Sequence, residues 1–407
     1  MRAQALSALR SCIFGIIVFP IYSNTLRKLN SRGFCELCSQ KTPRRTSPVN
    51  NNRIVTLIVH FIVWDCIFPE KTVFYKTDEE THDYINEHIM KIVILEADSL
   101  GQDMVFTPFE ALGEVVIYRS TTADEMEEKT KDADVIVANK VPICESTIGK
   151  AQNLKLVCLT ATGFNNLDGD YLKKRGIAAY NVAGYSTNGV AQHTFALLFY
   201  ILEKLNYYDN YVKSGEYARG TCFSHFGQNF FELDGKTWGI IGLGAIGNRV
   251  AQIAKAFGCH IICYSASGKK YNTEYEQVSL DEFLSRSDIL SVHAPLNGYT
   301  ENLMTLEKFR KMKKSAIFLN LARGAIVNEP DLYTALTEDS IAGAGLDVLC
   351  KEPMNPENPL LKIQDSNKLI ITPHIAWAAK ETRFRVVDEV VKNIQRFQRD
   401  DRTNRVY

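Results

Sequence analysis

Residues 236–258, KTWGIIGLGAIGNRVAQIAKAFG, place Gly242, Gly244 and Gly247 between an apolar run and an Ala-rich run. Glycines at that spacing serve separate needs. One permits a tight turn, one lets a pyrophosphate approach the backbone, and one lets helix and strand pack closely. The start of the following helix offers unpaired N–H groups and positive dipole to phosphate oxygens. A bare G-x-G-x-x-G is a weak signal, and a glycine-rich structural turn is its ordinary alternative. Here strand, glycines and helix stand in register, which points to dinucleotide binding around Gly242, Gly244, Ala245, Ile246 and Gly247.

The end of the second strand bears on which dinucleotide. A carboxylate about 20 positions beyond the glycines holds the ribose hydroxyls and repels a 2′-phosphate. After His260–Tyr264 the next residue is Ser265, followed by Ser267, Lys269 and Lys270. With no acid and two ammonium groups nearby, the reading is NAD or NADP, with NADP tolerated. The alternative is that the two lysines are only a solvated turn.

These residues need strands and helices to place them. From residue 90 the chain alternates short apolar runs with polar helical ones. Strands are predicted at 91–96, 114–118, 135–138, 154–159 and 177–181, with a polar helix at 123–133 between the second and third. A long apolar-periodic helix follows at 190–211. A second series has strands at 237–241, 260–264, 289–293, 316–319, 343–347 and 369–372, and an amphipathic helix ends it at 380–398. Apolar strands alternating with helices imply parallel sheets covered on both faces.

Three further segments complete the pattern: NLARGAIVNEPDL at 320–332, GAGLDVLCKEP at 343–353 and TPHIAWA at 372–378. With the glycine loop they resemble the D-isomer-specific 2-hydroxyacid dehydrogenase family, most closely its glycerate dehydrogenase/hydroxypyruvate reductase branch. The resemblance covers 90–407 and none of 1–89. It implies an α/β fold of two doubly wound parallel-sheet domains, a flavodoxin-like substrate domain and a Rossmann NAD(P)-binding domain, with the active-site cleft between them. The implied substrate domain is 90–188 plus 375–407, and the cofactor domain is 189–374.

The same resemblance implies roles. Arg323 would clamp the substrate carboxylate and polarise the keto oxygen, because a guanidinium offers a planar fork of donors. His374 would donate a proton to that oxygen as hydride arrives, and Glu352 would hold the far imidazole nitrogen. Taken singly, each has an ordinary structural reading: a surface arginine, a Glu-Pro loop, a packed histidine turn. Taken together, each follows a predicted strand at the carboxyl side of the second sheet, where open α/β sheets bind ligands. Asp347 would meet the nicotinamide carboxamide. His293, Ala294 and Pro295 would line the adenosine side, with Ser265 and Ala322 also on the cofactor. Trp377 would cap the site beside the cofactor or pack at an interface. Asn139, Lys140 and Val141, and Ala161, Thr162 and Gly163, match the substrate-facing loops, with Lys140 either a carboxylate contact or simply solvated.

Composition narrows the classes. Lys+Arg and Asp+Glu both total 47, so no net charge draws the chain to nucleic acid or an acidic membrane. Ten cysteines lack a disulfide framework, and Cys35 with Cys38 has no second pair to complete a zinc site. No metal is expected. Cys144, Cys158, Cys259 and Cys263 lie in apolar runs suited to buried free thiols, and a reducing, cytoplasmic setting fits. A homodimer through the cofactor domain is implied by the family.

Residues 1–64 carry nine Arg/Lys and one acid, Glu36. Their apolar stretches, 13–22 and 54–68, fall short of the roughly 20 residues a membrane span needs. Three readings stand: a targeting segment, a membrane-attached extension, or translation starting at Met90, where MKIVILEAD opens a first strand. The expectation is that 1–89 lies outside the folded enzyme. The one lysine in VANKVPI and the absence of a domain after the last helix favour a small unphosphorylated keto acid, hydroxypyruvate or glyoxylate, over phosphoglycerate. Two other readings use the same fold: a dinucleotide-gated corepressor-like scaffold, and formate or phosphite oxidation.

Overall fold

The computed structural model describes residues 89–271 and 273–407, and every structural statement below concerns those residues. The readings offered for the N-terminal stretch, and the Cys35–Cys38 pair, lie outside them.

Twelve strands form two sheets, both parallel throughout. The first contains β1 (Lys91–Ile94), β2 (Glu114–Ile117), β3 (Val135–Ala138), β4 (Leu156–Leu159) and β5 (Ala178–Tyr180), in the order β2-β1-β3-β4-β5. The second contains β6 (Thr237–Ile241), β7 (His260–Tyr264), β8 (Glu276–Gln277), β9 (Ile289–Val292), β10 (Ile317–Asn320), β11 (Gly343–Leu346) and β12 (Leu369–Ile371), in the order β12-β11-β10-β9-β6-β7-β8. Central strands such as VIVA, LVCL and IFLN are buried at every residue. Strands without a polar face need cover on both sides, and parallel crossovers supply it. The order reverses between β1 and β3 and again between β6 and β9, which opens a crevice at the carboxyl ends of each sheet. The two doubly wound sheets are those expected.

Strand positions agree with the sequence reading to within one or two residues. The edge strand β8 was not foreseen, because Glu276 and Gln277 are both exposed and carry no apolar signal.

Helix α1 (Thr187–Leu202) packs on β10, β11 and β12 and buries Phe195, Leu198 and Ile201. The expected single helix at 190–211 is broken. Lys204 takes a left-handed φ of 53° and its Nζ bonds the Asn367 carbonyl at 3.3 Å. Then α2 (Leu205–Lys213) restarts with no buried residue. The apolar periodicity runs on through Leu205 and Val212, so the sequence reads as continuous. The second sheet offers α1 a core only as far as Leu202.

Helices α3 (Ala245–Ala256) and α4 (Glu329–Thr337) cover the second sheet, and α5 (Lys380–Gln398) returns to the first. Val386, Val387, Val390 and Ile394 of α5 are buried with Ile92, Ile94 and Cys158. Each such side chain contributes about 1.5–3 kcal/mol of burial, enough together to hold the helix on the sheet. All six described cysteines are free. Cys158, Cys259 and Cys263 are buried as expected, whereas Cys144 is part-exposed, with its Sγ 3.2 Å from the Ser146 hydroxyl. Among the described residues no helix is long and apolar enough to cross a membrane.

Candidate active site

A cleft of about 680 Å³ is lined from both sheets. Asn139, Lys140, Thr162 and Gly163 reach it from loops after β3 and β4, and Ile246, His293, Ala294, Pro295, Ala322, Arg323, His374 and Trp377 reach it from the second sheet.

The three glycines of the loop have different surroundings. Gly242 has φ of 88°, and a Cβ there would lie 2.7 Å from the Ala294 backbone. At Gly247 a Cβ would lie 2.2 Å from the Gly242 carbonyl, so any side chain would push α3 off β6. A Cβ at Gly244 would meet nothing within 4 Å, which leaves open space beside the first turn of α3. No side chain caps that turn. Free N–H groups facing open space are what a pyrophosphate needs. Ser265, the residue in the place of the missing acid, is buried and its Oγ has no partner. The Lys269–Lys270 turn is exposed and tied down by Gln277, whose side chain bonds the Lys269 carbonyl and the Tyr271 amide. Open backbone, an orphaned hydroxyl and nearby lysines all fit an adenine dinucleotide with or without a 2′-phosphate.

Neither ring nitrogen of His293 finds a hydrogen-bond partner, and burial pushes its pKa from 6.5 down to about 3. Between those values the unfolded chain holds a proton that the folded chain does not. Stability therefore falls as pH drops through this window, by up to about 1.4 kcal/mol per pH unit from this residue. Melting temperatures from pH 7 to pH 4 should decline less steeply for His293→Leu than for the wild type. Parallel acid limbs would refute the assignment.

Arg323 follows β10 in extended backbone. Asn320, fully buried, ties the turn by bonding the Ala322 amide at 3.1 Å and the Arg323 carbonyl at 3.0 Å. The guanidinium crosses toward the first sheet: a Cβ at Gly163 would lie 2.6 Å from Arg323 Nη2. A side chain at 163 would have to displace that guanidinium, and the cleft walls from the two sheets meet there. The adjoining wall residue Phe164 rests edge-on against Tyr407, with ring centroids 5.9 Å apart. That support was not legible in the sequence, since 243 residues separate the two rings.

His374 sits beyond β12 with a left-handed φ of 55°. Asp347 over-determines that turn. It is 1% exposed, and its carboxylate accepts the Ile375 amide at 2.8 Å, the Ala376 amide at 2.9 Å and the Thr372 hydroxyl at 2.6 Å. A strained conformation persists only when its surroundings enforce it. Asp347 thus stands behind the cleft lining, as do Glu352 and Ser265. Val141 is likewise removed from the cleft, with its side chain in the first-sheet core.

His374 Nδ1 lies 2.7 Å from Glu352 Oε2. An ionised carboxylate only accepts, so Nδ1 carries the hydrogen and Nε2 is left for the cleft. Burial opposes ionisation of Glu352, but the bonds from His374 and the Leu349 amide outweigh it and hold its carboxyl below the usual value. Glu329, in the NEPDL segment, fixes the Glu352 loop by accepting the Cys350 amide and the Asn358 side chain, each at 2.7 Å. Trp377 lines the cleft and meets Tyr185 edge-on, with centroids 6.4 Å apart. Arg323 Nη1 donates to the Ala322 carbonyl at 2.7 Å, and among the described residues its guanidinium has no carboxylate partner. With the paired imidazole in one cleft, it can share the charge of an oxygen that the imidazole protonates.

Residues 195–376 match the family described as D-isomer specific 2-hydroxyacid dehydrogenase, NAD binding domain. The chain is 38% identical over 314 residues to a hydroxypyruvate reductase of Blautia hydrogenotrophica, covering 76% of this chain and 97% of that one. The chain belongs to the D-2-hydroxyacid dehydrogenase family. It is 35% identical to a glycerate dehydrogenase of Methylorubrum extorquens, over 75% and 96% of the two chains, and lies in the glycerate dehydrogenase/hydroxypyruvate reductase branch. The D-lactate dehydrogenase of Aquifex aeolicus, solved with NAD and lactic acid, superposes with a TM-score of 0.68 at 30% identity, covering 78% of this chain and 98% of that one. The protein is accordingly an NAD(P)-dependent oxidoreductase acting on a CH–OH group. These relatives are all enzymes, which favours catalysis over a corepressor-like scaffold.

Proposed function

We propose that the enzyme reduces hydroxypyruvate or glyoxylate to D-glycerate or glycolate, with Arg323, His374 and Glu352 as its catalytic group. The observation that carries this is that His374 and Arg323 line one cleft, with Glu352 behind the imidazole at 2.7 Å from its Nδ1. When bound, the nicotinamide supplies the hydride. Arg323 binds the carboxylate and draws charge onto the keto oxygen, and Nε2 of His374 gives that oxygen its proton. Glu352 keeps the imidazole oriented. In the reverse direction His374 takes the hydroxyl proton.

The residues assigned to the cofactor are Gly242, Gly244, Ala245, Ile246 and Gly247 for the pyrophosphate, and Ser265 for the ribose. His293, Ala294, Pro295, Ala322 and Trp377 flank it. Asp347, expected at the carboxamide, is buried behind the cleft lining and serves the site through the His374 turn. Asn139, Lys140, Thr162 and Gly163 face the substrate. Residues 90–188 with 375–407 act as the substrate domain and 189–374 as the cofactor domain, and their closure would exclude water.

A homodimer is part of this reading. Beyond α1 the chain exposes Leu205, Val212, Phe223, Phe226 and Phe230, with Phe223 92% exposed. All five fall within 205–230, in the segment assigned to the cofactor domain, and a second copy covering them would take their apolar surface out of water. A cytoplasmic setting rests on the free thiols.

The test is oxidation of NADPH and NADH, followed at 340 nm, with hydroxypyruvate, glyoxylate and pyruvate. Turnover of the first two with either coenzyme is expected, and Ser265 with its lysines predicts that NADPH is accepted. A folded enzyme that binds dinucleotide but reduces none of the three would sink the reading.

A further inference from the structure

Glu96 stands just beyond β1, beside the point where the first sheet reverses its strand order. Its carboxylate collects three successive backbone amides from the loop after β3. Oε2 accepts from Asn139 at 2.7 Å, Lys140 at 2.9 Å and Val141 at 3.2 Å, and Oε1 accepts Lys140 again at 3.2 Å. The loop is tied on its other sides as well. The Asn139 side chain bonds Ser99 Oγ at 2.9 Å, and the Asn166 side chain bonds the Val141 carbonyl at 2.9 Å. Charge-assisted bonds from consecutive amides hold a backbone far more firmly than a solvated turn would be held.

What this clamp presents is Lys140. Its side chain lines the cleft with Arg323 and His374. Its ammonium forms no hydrogen bond or ion pair with a described residue. Surrounding protein and the Arg323 charge push its pKa down, while Glu352 and Glu96 oppose them. Two cations thus face one small cleft, and only one is needed for the carboxylate. Lys140 is exposed at the mouth of the cleft, so water serves its ammonium there, and an oxygen of a bound substrate could take that water's place. In a small 2-keto acid whose carboxylate and keto oxygen are on Arg323 and His374, the remaining position able to offer one is C3.

We propose that Lys140 is a specificity-determining residue, held in place by Glu96 as a positioning residue, and that it selects 2-keto acids bearing an oxygen on C3 over those bearing only a methyl group. The assignment rests on the reductase reading above and narrows its substrate class. A site built to bond a substrate oxygen rejects the analogue lacking it far more strongly than an apolar pocket rejects one methylene.

The experiment compares kcat/KM for hydroxypyruvate and pyruvate in the full chain and in Lys140→Met, Lys140→Arg and Glu96→Gln, with glyoxylate as a substrate that has no C3. The wild type should prefer hydroxypyruvate, and Lys140→Met should reduce the hydroxypyruvate-to-pyruvate ratio at least about tenfold. Lys140→Arg should recover part of it. Glu96→Gln should shift the ratio in the same direction, since an amide replaces one acceptor oxygen with a donor facing N–H groups. Equal losses on both substrates with an unchanged ratio would overturn the assignment. A wild type that reduces glyoxylate but does not distinguish the other two would overturn it while leaving the reductase reading intact. A wild type inert toward all three would end both.

Discussion

His374→Ala is expected to lower kcat for keto acid reduction about 10²- to 10⁴-fold, the range a positioned general acid contributes, while dinucleotide binding by fluorescence titration is retained. The reasoning is local. Glu352 occupies Nδ1 of His374, so Nε2 is the group available to the cleft. No other imidazole can substitute: His293 also lines the cleft, but burial holds its pKa at about 3 and keeps it neutral at working pH. Glu352→Gln gives the companion result. Glu352 is ionised across the neutral range, its carboxyl lying below the usual value. Its carboxylate accepts from Nδ1 and so fixes the imidazole with Nε2 toward the cleft. An amide at 352 can present a donor to Nδ1 instead, so kcat should fall about tenfold or more while dinucleotide binding is retained. An unchanged kcat would mean that Glu352 only supports the loop, and a His374→Ala enzyme within tenfold of wild type would remove His374 from the chemistry.

The second large effect concerns Arg323. In the proposed reaction, Arg323→Ala removes the forked donor that would face the carboxylate and keto oxygen in the cleft. Two charge-assisted bonds contribute roughly 3–4 kcal/mol between them, so kcat/KM should fall about 10²- to 10³-fold, with both KM and kcat affected. Arg323→Lys keeps the charge but loses the planar fork, and should recover only part of the loss. Gly163 makes the same point from the other wall, because a Cβ there would lie 2.6 Å from Arg323 Nη2 and displace the guanidinium. If Arg323→Ala changes KM for hydroxypyruvate by less than about threefold, the carboxylate is bound elsewhere, and Lys140 becomes its first candidate.

Much of the enzyme was legible without coordinates because the relevant signals are local. Burial on both faces makes β3, β4 and β10 continuous apolar runs, and the amphipathic period of α5 spans five turns. The glycine loop is a short-range geometric requirement of turn, backbone access and helix–strand contact, met by residues 242–247. Arg323, Glu352 and His374 each follow a recognisable strand, so their approach to a common cleft could be anticipated from the order of elements.

Tertiary structure alone decided what holds those residues in place. Asp347 reaches 28 and 29 residues along the chain to bind the Ile375 and Ala376 amides, and Glu96 reaches 43 to 45 residues to clamp the Asn139–Val141 loop. Glu329 reaches Cys350 and Asn358 in the same manner, and Tyr407 supports Phe164 across most of the chain. The break at Lys204 and the short edge strand β8 belong to the same class. A carboxylate satisfied by distant amides leaves no periodicity or spacing in the sequence, because its partners are chosen by how the loops pack. Local patterns therefore set which elements form and which groups carry the chemistry. Long-range hydrogen bonds, which exist only once both sheets are assembled, set where those groups point.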